Sequence, residues 1–264
     1  MLMAGQRMTN KRKPYLEIFR ELIGSLLFPK RCPVCDEILE PEEIQKGIHF
    51  ACKSKLYPVF GAVCMHCGRP VGDENPSTNT REYCYDCIQK GYDRHSCIAQ
   101  AKAVYLYKGL IKKTMYRFKY SNKREYASFF ANEAVAKYGT WIRQMGVEAI
   151  VPVPMYPKKQ RHRGYNQAEA FAMELSRLTG VPIATKMVSR TKNTIPQKGL
   201  DASQRKNNLK KAFHSEENVV QFKCVMVVDD IYTTGSTAEA VARELIKKGA
   251  CRVYLMTMCI GEDK

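Results

Sequence analysis

The chain has 264 residues, with 43 Lys and Arg against 26 Asp and Glu, for a formal net charge of +17. That length supports a sizeable core and suggests roughly two domains. The charge points to polyanionic partners such as nucleic acid or polyphosphate, or else to a basic soluble surface. No apolar run approaches the roughly 20 residues of a membrane span, which argues against an integral membrane protein.

Residues 1–14 are basic and without pattern, and they are expected to be disordered. Glu17 and Glu21 follow with no small-residue cleavage site, so a cytoplasmic protein is expected. Leu16, Phe19, Leu22, Ile23 and Leu26 form a helical stripe between Tyr15 and Phe28. Such a helix docks on its own protein, or lies at the inner face of a membrane.

Eight of the eleven cysteines precede residue 98. In a reducing compartment that pattern means metal, not disulfides. The pairs are Cys32 and Cys35, His49 and Cys52, Cys64 and Cys67, and Cys84 and Cys87, each three apart, as in a zinc knuckle. They supply eight ligands for two structural Zn²⁺ ions. Sequential pairing gives C-x2-C-x13-H-x2-C and C-x2-C-x16-C-x2-C, and a cross-braced pairing fits the same residues. His66, His95 and Cys97 read as bystanders. A closed four-ligand site leaves no open position for catalysis, so the module is structural or a binding platform, and its folding is expected to depend on metal. Gly72 to Arg81 reads as a solvated excursion.

Beyond Lys90–His95 the pattern becomes globular. Ala101–Tyr107 predicts a strand. Leu110–Tyr120 predicts a helix carrying Lys112, Lys113, Arg117 and Lys119 between Tyr116, Phe118 and Tyr120. That face is either simply solvated or a nucleic-acid surface, with bases on the aromatics and phosphates on the cations. A second helix covers about Glu125 to Met145. Ala149–Pro154 predicts a core strand stopped by proline, followed by a basic loop from Lys158 to Gly164. Asn166 caps the next helix, with Glu169 placed for a capping box.

Between Lys186 and Lys211, Arg190, Lys192, Lys198, Arg205, Lys206 and Lys210 face one acid, Asp201, and Pro196 and Gly199 break any long element. On its residues alone this reads as a solvated basic loop. Cys224–Val228 is an apolar, β-branched run suited to a strand buried on both faces. It ends in Asp229 and Asp230, then Ile231, Tyr232 and the loop Thr233, Thr234, Gly235, Ser236 and Thr237. Ala238, Val241, Ala242, Leu245 and Ile246 follow at helical spacing, with Gly249 as the C′ residue. A strand, a hydroxyl-rich turn and a helix N-terminus make a site for one phosphate group. The acids would repel that phosphate, so they suit sugar hydroxyls or hydrated Mg²⁺. The turn at Arg163 and Asn166 is a second anion-receptive helix start, as suits a ligand with phosphate at one end and pyrophosphate at the other. Cys251–Cys259 completes the sheet.

The thirteen positions from Val225 to Thr237 resemble the signature of type I phosphoribosyltransferases. The wider order is Val-Pro-Val-Pro from Val151, Arg-Gly-Tyr-Asn-Gln from Arg163, Arg190-Thr191, Arg-Lys-Asn-Asn from Arg205, and then the Asp-Asp loop. With the leader ending Cys-x-x-Cys-Gly-Arg-Pro, it is similar to the ComF family of bacterial competence proteins.

The resemblance implies an α/β fold: a type I phosphoribosyltransferase-like parallel sheet flanked by helices, preceded by a small double zinc ribbon. The expected division is a tail and helix over 1–29, a zinc ribbon over 30–96 and a phosphoribosyltransferase-like domain over 97–264. It implies handling of single-stranded DNA during natural transformation, beside other competence proteins such as a DNA helicase or translocase. The pocket would take phosphoribosyl diphosphate with Mg²⁺, or a nucleotide. In that assignment Thr233, Thr234, Gly235, Ser236 and Thr237 hold the 5-phosphate, while Asp229 and Asp230 hold the ribose. Arg163, with Gly164, Asn166 and Gln167, meets the departing pyrophosphate. Some purine-salvage members carry an acid where this chain has Thr233, so assistance to an attacking base is missing. Amidophosphoribosyltransferases, also similar, draw ammonia from an N-terminal glutaminase, whereas this chain begins Met1-Leu2. An enzyme with an undefined acceptor and a nucleic-acid factor with a regulatory ligand site both follow.

Overall fold

The computed structural model describes residues 29–71, 82–191, 212–215 and 222–262. The stripe over 15–28, the whole excursion from Gly72 to Arg81 and most of the cationic segment from Lys186 to Lys211 lie outside these residues.

The elements are α1 (Phe50–Lys53), α2 (Tyr85–Gln89), α3 (Tyr92–His95), β1 (Gln100–Leu106), α4 (Leu110–Tyr120), α5 (Tyr126–Gln144), β2 (Ala149–Pro152), α6 (Pro157–Arg163), α7 (Gln167–Thr179), β3 (Val188–Arg190), β4 (Phe213–Ser215), β5 (Cys224–Tyr232), α8 (Ser236–Lys247) and β6 (Arg252–Ile260). Four strands form a parallel sheet in the order β1-β6-β5-β2, and β3 pairs antiparallel with β4. Successive residues of β5 feed opposite faces, as the period of two requires. Met226 and Val228 join α5 and α7 in one core through Phe129, Phe130, Phe171 and Leu175. Val225 and Val227 join α8 in the other through Val241, Ala242 and Leu245. The continuous apolar run of β5 is therefore a strand covered on both sides.

The cysteine-rich segment is built into both cores. Cys32, Val34, Leu39, Ile48 and Leu56 lie in the first, and Val59, Cys64, Cys67, Cys84 and Cys87 in the second. It also covers the free edge of β1. Val59 N–H donates to Val104 O at 3.0 Å and Leu106 N–H to Tyr57 O at 2.8 Å, so those groups do not template strand addition. At the other edge, Ile150 N–H donates to Pro182 O at 2.8 Å.

Three expectations are corrected. The strand does not stop at Val228 but continues through the acid pair to Tyr232, because β6 runs beside it, matching Asp229 to Thr257 and Tyr232 to Ile260. On its other side β2 ends opposite Val228, so beyond that point this edge of β5 has no strand partner among the described residues. The basic stretch after Pro154 is not a loop but the helix α6, started by Pro157 at its first turn and stopped by Gly164 at φ 86°. Of the four cysteine pairs, His49/Cys52 and Cys84/Cys87 sit at the starts of α1 and α2, not in knuckle turns.

Candidate functional site

At the carboxyl end of β5 the chain turns sharply into α8. Gly235 takes φ 77° as the N-cap residue, and a Cβ there would lie 2.4 Å from the Tyr232 hydroxyl. Only glycine fits both restrictions. Thr234 and Ser236 hydroxyl oxygens lie 3.0 Å apart. The first N–H groups of α8 have no acceptor within the helix and add to the positive end of its dipole. The loop, Asp229 and Thr257 line a shallow, open concavity.

The two acids meet different surroundings. Asp229 lines the concavity, and its Oδ1 accepts Asp230 N–H at 2.8 Å. Burial, and then the neighbouring Asp230 charge, push its carboxyl up to about 7. Asp230 turns to α4, where Lys119 Nζ lies 2.8 Å from its Oδ2 and both side chains are about 20% exposed. Burial works against the Lys119 ammonium, but the charge and hydrogen bond of Asp230, joined by the charge of Asp229, together raise its pKa. Arg190 on β3 lies over the Phe213 ring at 5.3 Å. Burial lowers its pKa, and Asp229 opposes that shift. Lys119 had read as part of a solvated face. Its spacing from Ile111 and Met115, both fully buried, puts it on the inward stripe of α4 and was the available signal.

The second basic turn is tightly tied. Arg163 donates to Gln167 Oε1 at 2.8 Å and lies over the Tyr120 ring at 5.0 Å. Gln167 Nε2 donates to Phe118 O at 3.2 Å, and Tyr165 OH donates to the same oxygen. Asn166 caps α7 through Ala168 N–H at 3.2 Å and donates to Val153 O at 3.0 Å. Asn166 and Gln167 are buried with these internal partners, while Arg163 is half-buried and Gly164 exposed.

The metal-ligand candidates gather in two groups, Cys32, Cys35, His49 and Cys52, and Cys64, Cys67, Cys84 and Cys87. Within each, all ligand atoms lie within 4.8 Å of one another. The pairing is therefore sequential. Tetrahedral zinc with bonds of about 2.3 Å separates sulfurs by about 3.8 Å, and Cys67 and Cys84 Sγ are 3.6 Å apart. His49 turns Nδ1 toward Cys35 Sγ at 3.2 Å, while Nε2 donates to Ile38 O at 3.0 Å. That outer bond fixes the tautomer a zinc ligand needs. The donor sets fit two structural Zn²⁺ ions. Both first-half turns demand a left-handed residue, met by Gly68 at φ 73° and by Asp36 at φ 70°. Asp36 is held there by Lys123 at 2.7 Å and Tyr126 OH at 2.6 Å.

A ribbon with two cysteine-rich centres, built onto a parallel sheet whose acid-bearing strand opens into a hydroxyl-lined helix start, defines a zinc-ribbon protein with a phosphoribosyltransferase-type domain. Family models agree: a double zinc ribbon domain matches residues 23–88 and a phosphoribosyl transferase domain residues 167–264. Competence protein F of Haemophilus influenzae is 43% identical over 104 residues, covering 39% of this chain and 45% of that protein. DNA utilization protein YhgH of Escherichia coli is 28% identical over 81% of this chain and 96% of its own length. Competence protein ComFC of Bacillus subtilis is 27% identical over 80% and 82%. Among solved structures, an adenine phosphoribosyltransferase is 16% identical over 51% of this chain and 71% of its own, with a TM-score of 0.33. The chain belongs to the ComF family. No helix among the described residues is long and apolar enough to cross a membrane.

Proposed function

We propose that the chain acts in the handling and uptake of single-stranded DNA during natural transformation, and that the β5–α8 concavity binds phosphoribosyl diphosphate or a related nucleotide. The concavity itself carries this reading, because helix-start N–H groups and hydroxyls stand beside a carboxylate, the pairing a 5-phosphoribosyl group needs. Relatives named for competence and DNA utilization support the cellular role, and a net charge of +17 suits a polyanion. In this reading Thr233 to Thr237 take the 5-phosphate, Asp229 and Asp230 the ribose, and Arg163 with the turn Gly164, Asn166 and Gln167 the pyrophosphate. Oxygen donors suit Mg²⁺, which would be held by Asp229 or Asp230 together with ligand phosphates. A DNA helicase or translocase is the class of protein partner expected, with action at the inner face of the membrane.

The test is a titration of the zinc-loaded protein with phosphoribosyl diphosphate and Mg²⁺, with and without an unstructured oligonucleotide, in a salt series. DNA affinity should fall with a logarithmic slope near −0.7 per phosphate contacted, so about five contacts cost on the order of a hundredfold between 50 and 200 mM salt. Absence of DNA binding at low salt removes the DNA role; absence of saturable phosphoribosyl diphosphate binding removes the ligand site. A second reading, transfer of ribose 5-phosphate to an unidentified acceptor, is favoured by the complete Asp-Asp and Thr-Thr-Gly loop. It predicts pyrophosphate release on adding the acceptor.

A further inference from the structure

Three side chains of the cysteine-rich segment reach the loop and helix start that frame the concavity. Arg69, two residues after Cys67, is 4% exposed. Its Nε donates to Gly261 O at 3.0 Å, Nη1 to Asp86 Oδ2 at 3.1 Å and Nη2 to Thr233 O at 3.2 Å. Tyr92, at the start of α3, donates its hydroxyl to Thr234 O at 3.4 Å. Ser96 donates to Glu239 in the first turn of α8, and Cys97 N–H reaches the other carboxylate oxygen at 3.1 Å. Ser96 has one hydroxyl hydrogen, used on Glu239, so His66 Nε2 is the donor in its 2.7 Å contact with that hydroxyl. Neither Arg69 nor Tyr92 lines the concavity.

In a planar trans peptide, C=O and the following N–H point in opposite directions. Tying the carbonyls of Thr233 and Thr234 to the ribbon therefore turns the N–H groups of Thr234 and Gly235 away from it. We propose that Arg69 and Tyr92 are positioning residues of the phosphate site: from the zinc ribbon they fasten two successive carbonyls and so aim two successive amides into the concavity. The ribbon is then the rear wall of the anion site. Glu239, buried at 5% exposed, is tied to the same segment and fixes the first turn of α8 against it. This inference rests on the ligand reading above for its chemistry, but not for its geometry.

The experiment uses the full zinc-loaded chain and the variants Tyr92→Phe, Arg69→Lys and Arg69→Ala. Two readings are taken: amide hydrogen exchange across 229–240 without ligand, and affinity for inorganic phosphate and phosphoribosyl diphosphate. Zinc content and melting temperature are the controls. Tyr92→Phe removes one hydroxyl and should weaken phosphate about fivefold, the factor set by one net hydrogen bond, with faster loop exchange at two zinc ions per chain. Arg69→Ala should lose phosphate binding, and Arg69→Lys should recover part of it. If Arg69→Ala releases zinc, Tyr92→Phe and Arg69→Lys decide. Wild-type exchange and affinity in both of those variants overturn the proposal. If the unaltered protein binds neither phosphate nor phosphoribosyl diphosphate, the ligand reading falls, and the exchange data still decide whether the ribbon holds the loop.

Discussion

Substituting Asp229→Asn should make the protein more stable and its ligand site worse, by amounts that depend on pH. In the folded state burial and Asp230 raise this carboxyl to about 7 from an ordinary 3.8, whereas in the unfolded chain it ionises near the ordinary value. Between those limits the folded state holds more protons than the unfolded state, so stability falls as pH rises. The contribution is fully present below about 4 and is lost as pH passes 7. The interval corresponds to about 4 kcal/mol at 1.36 kcal/mol per unit. Roughly half of it falls between pH 5.5 and 8.5, a window that keeps the cysteine ligands metallated. Asparagine keeps the acceptor for Asp230 N–H but cannot ionise. Urea denaturation across that window should therefore show a gap in favour of the variant that widens by about 2 kcal/mol toward pH 8.5, while phosphoribosyl diphosphate affinity drops. Parallel stability curves, or a variant less stable at pH 8.5, would refute the assignment of a buried, repelled carboxylate at this position.

Lys119→Met leaves Asp230 without its ion partner. A loss of about 1–3 kcal/mol at pH 8 is expected, below that of a fully buried pair because both side chains are partly exposed. Chemical denaturation of the variant alone and combined with Asp230→Asn checks it, since the double substitution should recover part of the loss. Gly235→Ala drives a methyl into the Tyr232 hydroxyl at a positive φ, so phosphate titration should show no binding while elemental analysis still returns two zinc ions. Elemental analysis of His49→Ala should return one zinc ion, and two would remove His49 from the ligand set.

The fold was legible where one physical requirement dominated. Val225 to Val228 has no polar face because helices cover both sides, and that reads directly as a parallel strand. Cysteine pairs three apart announced two clusters of metal-ligand side chains, and the Thr-Thr-Gly-Ser-Thr turn announced the passage from strand to helix. What escaped notice depends on neighbours distant in sequence. Nothing in Asp229 and Asp230 reveals that β6 prolongs the strand through them, or that Lys119, more than a hundred residues earlier, takes one of the pair. Pro157 could have marked α6 as a helix start, but the following run of cations reads equally well as solvated loop. Arg69 entered the sequence reading only as one letter of the Cys-x-x-Cys-Gly-Arg-Pro leader. Its burial follows from Gly68, where a Cβ would lie 2.6 Å from Ala101 O, so the knuckle is pressed against β1 and carries Arg69 inward with it.

That close approach bears on how the protein could be taken apart or rebuilt. A cut at residue 96 looks natural on the sequence. It would remove Arg69, Tyr92 and Ser96 together, strip the cover from the β1 edge and take from Glu239 its Ser96 hydroxyl and the neighbouring His66. The ribbon therefore cannot be exchanged as a cassette for another zinc module of equal size. A recombinant joining the second half of this chain to a foreign leader would need a new guanidinium within reach of the Thr233 and Gly261 carbonyls, and a new hydroxyl for Glu239. The two halves are separable as text and inseparable as a machine.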